Sequence, residues 1–123
     1  MMKKFFLVVS LSIICVIVLI SIKRAINEDF DGKGVMTTPQ AIHLITNKGY
    51  PCLHCHAIET KIVGPAYQEV AHRYKGNLEA KQMLKEKVKQ GGMGHWGEVV
   101  PMPPHPMVTE TDLTYLIEWI LSL

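Results

Sequence analysis

The run Cys52-Leu53-His54-Cys55-His56 constrains this chain more than any other stretch. Two thiols three residues apart, with an imidazole directly after the second, form a C-x-x-C-H pattern that reads as a haem attachment site. The thiols are placed to form thioether bonds to the haem vinyl groups, and the adjacent His56 to reach the iron as proximal ligand. Such a chain folds around a rigid prosthetic group, and it does so outside the bacterial cytoplasm, where covalent haem is attached. Other readings of Cys52 and Cys55 explain less. A thioredoxin-like C-x-x-C needs a strand–helix setting in an α/β fold, which is missing. A zinc site needs a second ligand pair, and there is no second C-x-x-C. A structural disulfide leaves His56 unexplained.

The chain has 123 residues, and the first stretch, to about residue 37, lacks the pattern of a folded domain. What remains is one small domain, of a size often supported by a metal or a crosslink; a buried haem provides both. The formal net charge of +2 conceals an asymmetry. Lys3, Lys4, Lys23 and Arg24 flank an apolar run, all 11 Asp and Glu lie beyond it, and the chain past Arg24 is therefore acidic by about two charges. That is not the footprint of a nucleic-acid binder.

Phe5 to Ile22 is an 18-residue run without charge, interrupted only by Ser10, Ser12 and Ser21. As a helix it would extend about 27 Å, close to the thickness of the hydrocarbon core. A cleaved signal peptide has a shorter apolar region and a small-x-small site after it, whereas this run ends in Lys23-Arg24-Ala25. The expectation is an uncleaved membrane anchor over 1–24, held in the lipid bilayer through residues 5–22, with a cleaved signal peptide as the alternative. Cys15 reads as an ordinary apolar-helix residue, because Ile14 fits badly before a lipidated cysteine. Residues 25–38, with Asp29, Asp31, Gly32, Lys33, Gly34, Thr37 and Thr38, read as a flexible linker with a reach of roughly 20–25 Å. Residues 39–123 are then the domain.

That domain reads as all-α. Thr38 and Pro39 suit an N-cap and first helical position, with the helix running to about Lys48. Gly49, Tyr50 and Pro51 break it before the cysteine motif. A short helix is expected over Tyr67–Tyr74, stopped by Gly76, and another over Leu78–Gln90, capped by Asn77 and ended by Gly91-Gly92. A loop rich in Gly and Pro follows. Thr109 with Asp112 opens the last helix, in which Leu113, Leu116, Ile117 and Ile120 form an i, i+3, i+4, i+7 stripe. No segment alternates as a strand would.

A six-coordinate haem needs a ligand on its other face. The candidates are Met36, Met83, Met93, Met102, Met107 and the remaining histidines. Met102 stands out because Val100-Pro101-Met102-Pro103-Pro104 is a stiff loop: three prolines restrict φ, so a weak thioether ligand is held with little entropy left to lose. A methionine filling a core gap is the alternative. His43, His54 and His72 read as surface residues, as does His105.

These residues together resemble the small bacterial class I cytochromes c of the type named cytochrome c five-five-one. The matching features run in order over the whole domain: Cys52-x-x-Cys55-His56-Ala57-Ile58, Val63-Gly64-Pro65-Ala66-Tyr67, Gly94-x-Trp96-Gly97, Pro101-Met102-Pro103-Pro104, and a closing helix with Trp119-Ile120-Leu121-Ser122. The resemblance implies a small class I cytochrome c fold, about four helices wrapped round one covalent haem c, preceded here by one transmembrane helix, with His56 and Met102 as axial ligands. It implies further that the Pro65 carbonyl accepts a bond from the far nitrogen of His56, that Trp96 donates its indole N–H to a haem propionate, and that Lys87 lies near the propionates. The chain departs from the family's pattern in two places. The stretch Gly97–Pro101 is one residue longer, and His105 stands where an Asn often bonds the Met sulfur.

Methionine and histidine ligation raises the iron's potential, which suits a carrier delivering electrons to an oxidant. The expected function is that of a membrane-anchored monohaem c-type cytochrome, not an enzyme, moving single electrons on the periplasmic side of the bacterial cytoplasmic membrane. Its donor would be a membrane cytochrome complex, its acceptor a terminal oxidase or reductase, and its transfer point an exposed haem edge ringed by apolar residues near the haem motif. The alternatives are a haem enzyme or gas sensor with a labile sixth ligand, and a fixed cytochrome subunit of a larger oxidase or dehydrogenase complex.

Overall fold

The structure, a computed structural model, describes residues 13–21, 34–94, 96 and 100–123. The chain divides into two units, Met1–Gly34 and Val35–Leu123. In the first, residues 13–21 are helical and exposed, and Cys15 is a free thiol. The rest of the apolar run, 5–12 and 22, lies outside the described residues, as do residues 25–33 of the expected linker. Among the described residues no helix is long and apolar enough to cross a membrane.

The second unit is helical. Its first helix, α1, spans Thr38–Asn47. The cap is one residue earlier than the sequence suggests. Thr37 is the N-cap, and its backbone N–H donates to Gln40 Oε1 at 2.7 Å. Thr38 lies inside the helix, and its hydroxyl accepts the Trp119 indole N–H at 3.2 Å. Met36 is buried as well, and the second unit begins at Val35, within the stretch expected as linker. Gly49, at φ +67°, turns the chain out of α1. Tyr50 follows; its N–H returns to the Ile45 carbonyl at 2.9 Å and its ring is buried.

A single 3₁₀ turn over Pro51–His54 then carries the cysteines. Helix α2 covers Tyr67–Tyr74, and its start is fixed by the preceding loop: the N–H groups of Tyr67 and Gln68 donate to the Ala57 and Ile58 carbonyls at 2.9 and 3.0 Å. Helix α3 covers Leu78–Gln90, capped by Asn77 Oδ1, which accepts from Glu79 N and Ala80 N. Helix α4 covers Glu110–Ser122, with Thr109 Oγ1 accepting from Asp112 N at 3.1 Å.

Helix α4 is the hub, packing against α1, α2 and α3. Its expected stripe of Leu113, Leu116, Ile117 and Ile120 is buried, together with Trp119 at 1% exposure. Opposite them lie Ala41 and Ile45 of α1, Val70 and Ala71 of α2, and Ala80 and Leu84 of α3. Small residues on α1, α2 and α3 let the helices close around the larger side chains of α4. Among the described residues the only β-type pairings are two isolated bridges, His56 with Lys61 and Gly92 with Met102, and both belong to the site.

Candidate haem site

The 3₁₀ turn folds tightly because Cys52 uses its carbonyl twice, accepting from Cys55 N at 3.3 Å and His56 N at 3.0 Å. This brings both thiols and the imidazole out of one turn. Cys52 and Cys55 are half-buried, and burial pushes the Cys52 thiol above its ordinary range.

His56 is held from three directions. Its Nδ1 lies 2.8 Å from the Pro65 carbonyl oxygen. A carbonyl only accepts, so Nδ1 carries the proton and Nε2 of the neutral ring keeps its lone pair for a metal. The backbone of Gly64 lies against the ring: a Cβ there would collide with Cε1 and stand only 2.8 Å from Nδ1. Gly64 N in turn donates to the Cys55 carbonyl at 2.7 Å, which ties the supporting loop to the motif. The Tyr67 ring stacks on the imidazole, with centroids 5.3 Å apart and planes 11° from parallel. Tyr67 is itself held by an edge contact with Trp119 at 5.2 Å. Burial, and then the nearby cysteine sulfurs, push the Tyr67 phenol far above its ordinary value, so it is a neutral packing surface.

Met102 stands half-buried between Pro101 and Pro103 and is paired with the end of α3. Gly92 N donates to the Met102 carbonyl at 2.8 Å, and Met102 N to the Gly92 carbonyl at 3.2 Å. Gly91, at φ +68°, has no room for a side chain; a Cβ would meet the Met102 carbonyl and come within 2.7 Å of the Pro103–Pro104 peptide.

The other expected residues lie around this loop. The Lys87 ammonium donates to Met93 O at 2.8 Å and Gly91 O at 3.4 Å. Trp96 makes an edge contact with Tyr74 at 6.2 Å, and the Arg73 guanidinium sits 4.7 Å over its ring. His95 and Gly97–Val99 lie outside the described residues, and with them most of Gly97–Pro101, the stretch with the extra residue.

His43, His54 and His72 are exposed, as the sequence suggests. His105 is not: it is buried at 9% exposure, because its N–H donates to the Val88 carbonyl at 2.9 Å and draws the loop against α3. Sequence reasoning placed Gly64 and Tyr67 in the matching motif and Gly91-Gly92 at a helix end, but gave none of them a part in holding His56 or Met102. The one available signal was a glycine directly before the proline expected to accept from His56.

The donor set fits a covalent haem: two free thiols and an imidazole with a free Nε2 in one turn, and a thioether on a separately braced loop. Comparison with known proteins agrees. The cytochrome c family model matches residues 43–123. Cytochrome c-551 of Allochromatium vinosum is 49% identical over 72 residues, 58% of this chain and 76% of that protein. Cytochrome c-551 of Azotobacter vinelandii is 45% identical over 71 residues, 58% of this chain and 84% of that protein. The crystal structure of Nitrosomonas europaea cytochrome c552 superposes with a TM-score of 0.60 at 39% identity, over 67% of this chain and 98% of that one. The chain belongs to the cytochrome c family. Within it, the match is to small class I members of the c-551 and c-552 type, with one covalent haem c and its iron, and the chain is accordingly an electron-transfer protein and not an enzyme.

Proposed function

We propose that the chain is a membrane-anchored monohaem carrier that passes single electrons between respiratory complexes on the outer side of the bacterial cytoplasmic membrane. Cys52 and Cys55 hold the haem through thioethers, and His56 and Met102 ligate its iron. Bound there, the haem supplies a one-electron iron couple. The protein's part is to keep both ligands still as the charge changes, so that little rearrangement accompanies transfer. The observation that carries this reading is the fixed imidazole: Pro65 accepts the Nδ1 proton, Gly64 and Tyr67 bear on the ring, and Nε2 is left for the metal. On this reading Trp96 and Lys87 stand by the propionates, with Arg73 and Tyr74 setting the indole plane. Ile62 and Val63, exposed just before Gly64, supply apolar surface for a redox partner beside the motif.

The donor is a membrane cytochrome complex and the acceptor a terminal oxidase or reductase. The support for anchoring is the uncharged run of residues 5–22, bounded by basic pairs.

Optical spectra of the haem-loaded protein in both redox states test the site. The oxidised protein should show the weak far-red iron–sulfur band, and Met102→Ala should lose it. Absence of the band, with ready uptake of carbon monoxide by the reduced protein, would refute methionine ligation. For the anchor, the full chain should stay with membranes through a high-salt wash and leave only with detergent. Release of the haem domain by salt alone would count against it.

A further inference from the structure

The loop after Met102 is fastened to the last turns of α3 at three successive places. Gly91 and Gly92 grip Met102–Pro104. Val88 O accepts from His105 N. Last, the Lys89 ammonium donates to Val108 O at 2.6 Å and Pro106 O at 3.4 Å, and pairs with Glu110 Oε1 at 3.4 Å. The first two fastenings are backbone; Lys89 is the side-chain member. Its side chain is 28% exposed, whereas that of Glu110 is 72% exposed, so the two carbonyls and not the ion pair provide its principal hold.

We propose that Lys89 is a positioning residue for the sixth iron ligand: by gathering the Pro106 and Val108 carbonyls it closes the exit end of the Met102 loop and sets how readily Met102 gives way to an external ligand. This rests on Met102 being that ligand. For an external base to bind, the loop must lift from α3, and the apparent affinity of the base scales with the fraction of molecules in which it has done so. Removing the ammonium raises that fraction.

The test is titration of the full-length, haem-loaded ferric protein with imidazole, read by loss of the far-red band. Lys89→Met keeps the length and apolar packing of the side chain and removes the donor; it should bind imidazole roughly tenfold more tightly than the parent. Lys89→Arg restores a donor and should bind close to the parent. Lys81→Ala removes a different helix lysine, paired with Glu118 at 2.9 Å, and should leave the titration unchanged. Equal imidazole affinity in Lys89→Met and parent overturns the proposal, as does an equal gain in Lys81→Ala, which would mark general loosening. Failure of the underlying reading looks different: the parent lacks the band, or Met102→Ala retains it.

Discussion

At the scale of single residues, the chemistry of His56 is decided by one acceptor. Because Pro65 offers only a carbonyl, the imidazole has one usable tautomer, and Gly64 lets it sit where that tautomer points Nε2 away from the bond. The glycine is required for its missing Cβ and not for an unusual φ. Gly64→Ala should therefore push the ring off its seat. Overpacking of this kind costs about 1–3 kcal/mol, so the denaturation midpoint of the haem-loaded variant should fall, with a shifted reduction potential in an optical redox titration. An unshifted potential and midpoint would mean that the ring has room the structure does not give it. Met102 illustrates the reverse dependence. Five methionines in the domain region had the chemistry to serve, and only the prolines around one of them distinguished it.

At the scale of elements, helix ends are where sequence and structure agree best, because caps and breakers act within a few positions. Tyr67–Tyr74 and Leu78–Gln90 begin and end where their flanking Asn77, Gly76 and Gly91 direct. Asn77 satisfies two N–H groups at the start of α3, and Asn77→Ala should cost about 1 kcal/mol, seen as a drop of roughly 4–8 °C in the thermal midpoint. A helix that did not notice the change would show that packing on α4 alone sets its start. The cap of α1 shows where local rules stop. Thr37 and Thr38 have the same chemistry and either could cap; Thr37 does so, and Thr38 lies inside the helix with its hydroxyl on a tryptophan 81 positions away.

At the scale of the whole molecule, α4 is tied to the segment leading into the haem motif by a buried bond between residues 62 apart. Tyr50 donates to Asp112 Oδ2 at 2.7 Å. Tyr50→Phe leaves a buried carboxylate short of a partner and should cost about 1–3 kcal/mol near neutral pH. Burial first, and the bond to Asp112 second, raise the Tyr50 phenol above its ordinary value of 10.0. The folded chain therefore keeps this proton longer than the unfolded chain. The contribution is complete below about pH 10 and is lost as pH rises through the raised value. Denaturant titrations from about pH 8 to about pH 11 should show the parent losing more stability than Tyr50→Phe over that interval; parallel curves would mean that the phenol is not linked to folding. The haem is the other element of global stability. A domain this small has a modest core, and Cys52→Ala with Cys55→Ala, which removes covalent attachment, should broaden and lower the thermal transition followed by circular dichroism. A sharp transition at the parent's midpoint would show that the four helices are sufficient by themselves.

The sequence by itself determined the attachment motif, both ends of α3, the inward stripe of α4 and the stiffness of the Met102 loop. Each depends on residues within about one or two helical turns of one another, where spacing and backbone preference act directly. Only the tertiary structure decided that His105 is buried, that Thr38 serves Trp119 instead of capping its own helix, that Tyr50 and Asp112 are partners, and that Lys89 and the Gly91–Gly92 pair fasten the loop after Met102. Those outcomes rest on hydrogen bonds and close backbone approaches between segments that meet only when α4 closes on the other helices, and side chains of one chemical type are interchangeable until that closure selects among them.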